Sequence, residues 1–134
     1  MTGHRSLLPP GWQRPRGYAN GVAATGRLVF TAGVVGWDEE ERFVAKDIAG
    51  QFRQILLNTL AILAEGGAGP EHIVRMTWYV TSRDDYVAAL PEIGAAYREL
   101  IGRHFPAMAV VEVAALVEPD ARIEIETTAV VPEP

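Results

Sequence analysis

The chain lacks cysteine altogether, and its only two serines are Ser6 and Ser82. The absence of cysteine excludes disulfide bonds and a thiol nucleophile, and it suits the reducing cytoplasm, where we expect the protein to reside. Ser82 opens the run Ser-Arg-Asp-Asp, which is typical of a helix cap. The three histidines, His4, His72 and His104, lie far apart, so metal-ligand spacing is missing and we expect no metal.

Positive charge and long apolar runs are scarce as well. Twelve Lys and Arg residues face 17 Asp and Glu residues, which gives a formal net charge of -5. Because binding to nucleic-acid phosphates requires concentrated basic side chains, we expect no nucleic-acid partner. No apolar run approaches the roughly 20 residues of a membrane helix, and the N-terminus has no apolar signal core, so we expect no membrane partner.

The 134 residues suffice for a single domain, 1–134, with a real hydrophobic core. Residues 1–17 contain three prolines and are interpreted as an extended N-terminal arm. Residues 33–42 are interpreted as a loop.

Apolar periodicity predicts an α+β protein with the element order β-β-α-β-α-β-β and both helices on one face of the sheet. The predicted strands lie at 18–25, 28–32, 74–80, 108–115 and around 122–126; the predicted helices lie between Asp47 and Gly66-Gly67 and at 91–101. Gly26-Arg27 is expected to join the first two strands as a hairpin. On the polar face of the first helix, Gln51, Gln54 and Asn58 are expected to form a solvated surface.

The strand pattern leaves one sheet face without helices. We expect that face to be built from Val, Trp, Met and Ala and to be buried by self-association, because large exposed apolar patches are unusual in monomers. The run 108–115 is almost wholly apolar apart from Glu112, which predicts a strand buried on both faces. A turn at 118–120 leads from it to the next strand.

Three carboxylates, Glu112, Glu124 and Glu126, fall on or beside this sheet. Because a buried unpaired carboxylate is costly, at least one should face solvent, a subunit interface or a ligand pocket. Glu124 has the chemistry to hold and polarise a water molecule, although the pattern alone favours a structural carboxylate on an edge or in an ion pair. Tyr18 is either a pocket hydroxyl or a core aromatic.

The chain resembles the Rid family (reactive intermediate deaminases, YjgF-type, RidA-like) from residue 17 to residue 131. The resemblance rests on Gly17-Tyr18, LVFTAG (28–33), DIAGQFRQILLNTLAILAEGGA (47–68), HIVRMTWYVTSRDDY (72–86) and FPAM…VEVAAL…IEIETTAV. It implies a chorismate-mutase-like fold in a homotrimer, with three sheets forming a central barrel and a small-molecule cleft at each subunit interface. It further implies hydrolysis of small imino or enamine acids to keto acids and ammonia, without a metal or organic cofactor.

The resemblance also implies roles for individual residues. Tyr18 and Glu124 match the family's catalytic positions, with Glu124 orienting the attacking water. Gly33 matches the cleft glycine after the second strand, and Ala107 falls at a substrate-binding position.

Three further substrate-binding positions depart from the family. Met108 stands in place of the hallmark arginine that pairs with the substrate carboxylate, Ala32 in place of the cleft serine, and Gly94 near the cleft asparagine. Losing a charge-assisted hydrogen bond weakens carboxylate binding by roughly tenfold or more. We therefore expect a less anionic or bulkier ligand, unless an arginine at 14, 16 or 103 reaches the cleft.

Two functions remain open. The first is a divergent hydrolase or deaminase of imines, enamines or a related C–N bond. The second is a non-catalytic trimer that binds a small ligand or a protein partner. A third and weaker interpretation, ribonuclease activity, conflicts with the acidic charge and the missing pair of histidines.

Overall fold

The computed structural model, which describes residues 2–134, contains a five-stranded sheet with helices on one face and a separate two-stranded sheet. The strands are β1 (Arg5–Ser6), β2 (Val22–Ala23), β3 (Arg27–Phe30), β4 (Val34–Val35), β5 (Ile73–Val80), β6 (Ala107–Glu112) and β7 (Ile123–Val131). The helices are α1 (Ile48–Glu65), α2 (Arg83–Ala88) and α3 (Leu90–Leu100), with a 3-10 turn at Pro70–His72. The strand order is β3-β7-β5-β6, and β4 also pairs with β7. The predicted α+β class is confirmed. No helix within residues 2–134 is both long and apolar enough to cross a membrane.

The three helices begin within a residue of where the sequence predicts, and α1 also ends there. The Asp47 carboxylate accepts a hydrogen bond of 3.1 Å from the amide of Gly50, and α1 stops at the Gly66-Gly67 pair. The Ser82 hydroxyl accepts a hydrogen bond of 3.1 Å from the amide of Asp85 and caps α2. Pro91 lies in the first turn of α3, where a missing amide hydrogen does no harm.

The polar residues of α1 are wrongly predicted to be solvated. Gln51 is fully buried; its amide donates to the carbonyls of Ala45 (3.2 Å) and Asp120 (2.9 Å). Its side-chain oxygen accepts a hydrogen bond of 2.8 Å from the amide of Arg122. Gln54 donates to Asn58, which itself donates to the carbonyls of residues 35 and 37. The side chains of Gln51 and Asn58 thus form hydrogen bonds with backbone groups of the loops around α1, which lack a backbone partner there.

The predicted hairpin between the first two strands is wrong. β2 pairs with β1 in the two-stranded sheet, whereas β3 pairs antiparallel with β7. Gly26 explains the divergence, since its φ is +152° and a Cβ there would lie 2.2 Å from the carbonyl oxygen of Val131. Glycine is needed at position 26 because the chain passes close to the end of β7 there. Met1, the first residue of the predicted arm, lies outside the described residues. His4 connects the arm to β7, because its Nε2 atom lies 2.8 Å from the Val130 carbonyl oxygen.

β6 is not the doubly buried strand that its composition predicts. It is an edge strand that pairs in parallel with β5, and on its other side, among the described residues, it has only an isolated bridge from Ala19 to Ala107; β5 therefore separates it from its neighbour in sequence, β7. None of its residues is fully buried, and Val111 is 42% exposed. An apolar edge of this kind is unprotected in one protomer.

The two faces of the sheet also differ from expectation. Met76, Trp78 and Val80 of β5 point toward the helices and join the core. The face without helices is mixed: it carries polar alternates of β5 and β7 together with the exposed apolar side chains of Leu28 and Phe30. The prediction that this face consists of Val, Trp, Met and Ala is therefore wrong, because the alternation places those residues on the covered side. We refer below to the face without helices as the open face.

Candidate functional site

A cavity of about 590 Å³ lies on the helix side of the sheet, between α2, α3, β5, β6 and the segment that precedes β2. Its aromatic lining consists of Tyr18, Trp78, Tyr86, Tyr97 and Phe105. Leu90, Ile93, Met108 and Val110 complete the apolar wall. A concave, mainly apolar site of this size is typical of small-molecule binding.

The aromatic wall is held by stacking and by one buried phenol. The rings of Tyr97 and Phe105 stack at 5.8 Å with an interplanar angle of 8°, and Trp78 lies 6.4 Å from Tyr97. The Tyr97 hydroxyl donates a hydrogen bond to the carbonyl of His104, and the His104 ring bonds the Ile73 carbonyl at 2.6 Å. Burial raises the pKa of Tyr97 well above its usual value, so this phenol stays neutral.

Three of the predicted site residues meet in this cavity: Tyr18, Gly94 and Met108. Tyr18 reaches it because Gly17 has a positive φ of 78°, which reverses the chain. The next residue, Ala19, fixes the segment beside β6 by donating a hydrogen bond of 2.9 Å to the Pro106 carbonyl. Met108 is paired with Met76 across β5 and β6, which directs its side chain toward the helices.

Two cations also line the cavity, Arg16 and Arg98. Arg14 and Arg103, which the sequence also offered, line a different depression beside the N-terminal segment. Arg98 was missed by the sequence analysis. The signal that identifies it is its position four residues after Gly94 on α3, which puts both on one side of the helix.

A second group of predicted residues lies on the open face. Glu124 of β7 is paired with Val35 and with Tyr79, and its side chain is half-buried. A Cβ on Gly33 would lie 2.1 Å from the Glu124 Oε2 atom, so the carboxylate rests directly against the glycine backbone. No hydrogen bond or ion pair engages this carboxylate within the described residues 2–134.

The other two sheet carboxylates have structural partners. Glu126 accepts a hydrogen bond of 2.7 Å from the hydroxyl of Tyr79. That bond, with a smaller contribution from the Glu124 charge, raises the pKa of Tyr79. Glu112 accepts a hydrogen bond of 2.7 Å from the amide of Arg83 at the start of α2. Glu124 is therefore the sheet carboxylate left available for a ligand or a water molecule.

One protomer does not bring all the predicted site residues together. Glu124 and Gly33 lie across the sheet from the cavity. Ala107 alternates with Met108 on β6 and faces the open side, where its register partner is Arg75. Ala32 is exposed between β3 and β4, and its carbonyl accepts a hydrogen bond of 2.8 Å from the Thr31 hydroxyl. Within residues 2–134, no group of three His, Cys, Asp or Glu side chains could hold a metal ion.

Comparison with known sequences identifies relatives along most of the chain. A family model described as Endoribonuclease L-PSP matches residues 13–131. A RutC family protein of Haemophilus influenzae is 36% identical over 105 residues, which cover 78% of this chain and 80% of that protein. The 2-iminobutanoate/2-iminopropanoate deaminase of Escherichia coli K12 is 34% identical over 116 residues, covering 84% and 86% of the two chains.

Solved structures agree with the sequence comparison. YyfB of Yersinia pestis, a Rid-family protein of unknown function, superposes with a TM-score of 0.82 at 32% identity, covering 98% of this chain and all of that one. Rv2704 of Mycobacterium tuberculosis, a member of the YjgF/YER057c/UK114 family, gives a TM-score of 0.64 at 33% identity, with 86% and 87% of the chains covered.

Proposed function

The chain belongs to the Rid (YjgF-type) family, and from that premise we propose that it hydrolyses the C–N bond of a small imine or enamine. The observation that carries the proposal is the Glu124 carboxylate, which lies against Gly33 without an internal partner. A relative with the name 2-iminobutanoate/2-iminopropanoate deaminase, 34% identical to this chain, supports the reaction class.

The reaction needs only water besides the substrate. The water oxygen adds to the C=N carbon while Glu124 accepts a proton from it and passes a proton to nitrogen, which gives a carbinolamine. The carbinolamine hydroxyl then loses its proton, by way of the same carboxylate, to nitrogen. The C–N bond breaks, ammonia leaves and the carbonyl forms. An enamine enters the same sequence after a proton shift from nitrogen to carbon makes it an imine.

We propose that two copies of the chain complete each site. Tyr18 and Met108 lie on the helix side of the sheet, whereas Glu124 lies on the open face, so no single protomer presents both to one small molecule. Leu28 and Phe30 on the open face are 58% and 65% exposed, which favours burial against another copy. A homotrimer, in which each cavity meets the open face of its neighbour, satisfies both requirements.

The test compares two neighbouring carboxylates. Imines are generated in the assay from amino acids by an amino-acid oxidase, and the protein's acceleration of keto-acid release is measured. Glu124→Gln should lower this acceleration at least about 100-fold, the usual contribution of a positioned acid–base group. Glu126→Gln is the matched control, because it lies on the same strand face and its amide oxygen still accepts from Tyr79. Equal activity of both variants, or no acceleration by the parent, would contradict the proposal.

The second candidate function is ligand binding without catalysis. Met108 favours it, because it fills the position of the family's substrate-binding arginine with an apolar side chain. Met108→Arg separates the two functions. If the parent is inactive and this variant hydrolyses small imino acids, the scaffold is competent and the natural protein is a binding module. If the parent and Met108→Arg are both as inactive as Glu124→Gln, the hydrolase proposal fails.

A further inference from the structure

Of the two guanidinium groups that line the cavity, Arg98 is the one that lies on a helix of its wall, and the family resemblance assigns it no role. Arg98 lies on α3 one turn after Gly94, and both line the cavity with Met108. Helical side chains tilt toward the N-terminus of their helix, so Arg98 folds back over the residue four positions earlier. Its Nη1 atom lies 3.3 Å from the position that a Cβ at residue 94 would take. The glycine thus leaves the space that the guanidinium uses.

The charge on Arg98 has no internal counter-ion. Within the part of the chain that the structure describes, no carboxylate oxygen lies within 4.0 Å of it. The adjacent acid, Glu99, is engaged elsewhere, since it forms an ion pair with Arg53 of α1 at 2.5 Å. Arg98 is exposed at the rim of the cavity, where its unpaired charge can attract an anion from solvent toward the apolar wall.

We propose that Arg98 is the carboxylate anchor of this site, meaning the side chain that pairs with the substrate's carboxylate. We further propose that the preferred substrate is the imine of an aromatic 2-oxo acid. That the ligand is an imine rests on the hydrolase function proposed above; the anchoring role of Arg98 does not. The planar guanidinium offers the two parallel donors that a carboxylate accepts, and it approaches from α3, not from β6.

The aromatic part of the substrate follows from the walls of the cavity. The exposed rings of Tyr18 and Phe105 offer faces and edges to an incoming ring, and the buried Tyr97, stacked on Phe105, and the adjacent Trp78 support them from behind. A three-carbon imino acid would leave most of the roughly 590 Å³ to water, whereas a phenyl or indole group would displace that water from apolar surface. Met108 then acts as a wall where the family's arginine would have shortened the cavity.

This arrangement changes one expectation from the sequence. The loss of arginine at position 108 predicted a less anionic ligand. In the structure, Arg98 brings a cation to the same cavity from α3. We therefore expect the ligand to be an acid whose remaining part is large and apolar.

The anchor is tested by binding, without turnover. Isothermal titration calorimetry of the full chain would use three probes: phenylpyruvate, pyruvate and phenylacetone. Phenylpyruvate is both aromatic and acidic, pyruvate lacks the ring, and phenylacetone lacks the carboxylate. We expect phenylpyruvate to bind at least about tenfold more tightly than either of the others.

Variants assign the acid preference to one side chain. Arg98→Gln should weaken phenylpyruvate binding at least about tenfold and leave phenylacetone unchanged. Arg103→Gln removes an equal charge outside the cavity and should change neither. Gly94→Asn, which fills the space beside Nη1, should weaken phenylpyruvate binding as Arg98→Gln does. Circular dichroism verifies that each variant is folded.

Each result decides one of the claims. Unchanged phenylpyruvate affinity in Arg98→Gln, or an equal loss in Arg103→Gln, overturns the anchor. Phenylpyruvate binding no tighter than pyruvate overturns the aromatic preference. If binding depends on Arg98 but the imine is not hydrolysed, the anchor stands and the hydrolase fails. If imines are hydrolysed with no effect of Arg98, the hydrolase stands and the anchor fails.

Discussion

Replacing Gly33 by alanine should displace the proposed catalytic carboxylate without unfolding the protein. The added Cβ would lie 2.1 Å from Oε2 of Glu124, whereas ordinary van der Waals contact begins near 3.4 Å, so the oxygen has to move by more than about 1 Å. The backbone at Gly33 does not have a positive φ, and the obstructing atoms all belong to the flexible side chain of Glu124: Oε2, Cδ at 2.9 Å and Cγ at 3.2 Å. The fold can therefore accept the methyl group by rotating the carboxylate away.

A displacement of about 1 Å at a reacting group can lower a rate roughly 100-fold. We expect Gly33→Ala to reduce imine hydrolysis by about that factor, while the midpoint of thermal unfolding changes by only a few degrees. Gly21→Ala is the matched control, since its Cβ would meet only the side chain of Leu7, at 3.3 Å. Activity of Gly33→Ala within threefold of the parent, with Glu124→Gln inactive, would refute the idea that the carboxylate works from its position against the glycine.

Three further predictions concern stability and assembly. Gln51→Leu leaves two buried carbonyls and one amide without their partners and should lower the free energy of unfolding in urea by roughly 2–4 kcal/mol, several times more than Gln54→Leu; a loss below about 1 kcal/mol would contradict this. Burial raises the pKa of Tyr97 in the folded protein. The stability that the neutral phenol contributes is therefore fully present below the pKa of an unfolded tyrosine, about 10, and is lost as the pH rises through the higher pKa of the folded state. The free energy of unfolding should therefore fall above about pH 10, and Tyr97→Phe should remove roughly 1.4 kcal/mol per pH unit of that slope; identical slopes would count against it. Phe30→Glu on the open face should reduce the mass measured by sedimentation equilibrium toward that of a monomer, whereas Val117→Glu on an exposed loop should not.

The sequence predicts those parts of the fold that depend on local patterns. Asp47, Ser82 and Pro91 identify the starts of helical segments because capping and proline placement are decided within four residues. The alternation along β5 identifies two sets of side chains, but it does not identify which set the helices cover: the apolar set was expected on the open face and lies on the covered one. A register shift between Ile73 and Arg75 also puts Ile73, and not Val74, on the buried side.

Predictions failed where a residue's role depends on distant chain. Gly26 has the local signature of a hairpin turn, yet its glycine is needed for close contact with Val131, more than a hundred residues away. Gln51 looks like an exposed helix residue, yet it bonds the backbone around 120–122. β6 has the composition of a central strand, yet it forms an edge. Composition reports that a surface is apolar; it does not report whether the same chain or a second copy covers it.

The position of the cation at the site shows the same dependence on distant residues. A residue-by-residue comparison with the family pattern places Met108 where the family has the arginine that pairs with the substrate carboxylate. The binding of an acid depends on which charges reach the cavity, not on which strand or helix carries them. Gly94 bears on the ligand in two ways. It supplies no side-chain amide to the cleft, and the absence of a side chain leaves room for the guanidinium of Arg98. If Arg98 is the anchor, as proposed above, the departures at Gly94 and Met108 form one rearrangement, in which α3 and not β6 supplies the cation and the other end of the cavity becomes apolar.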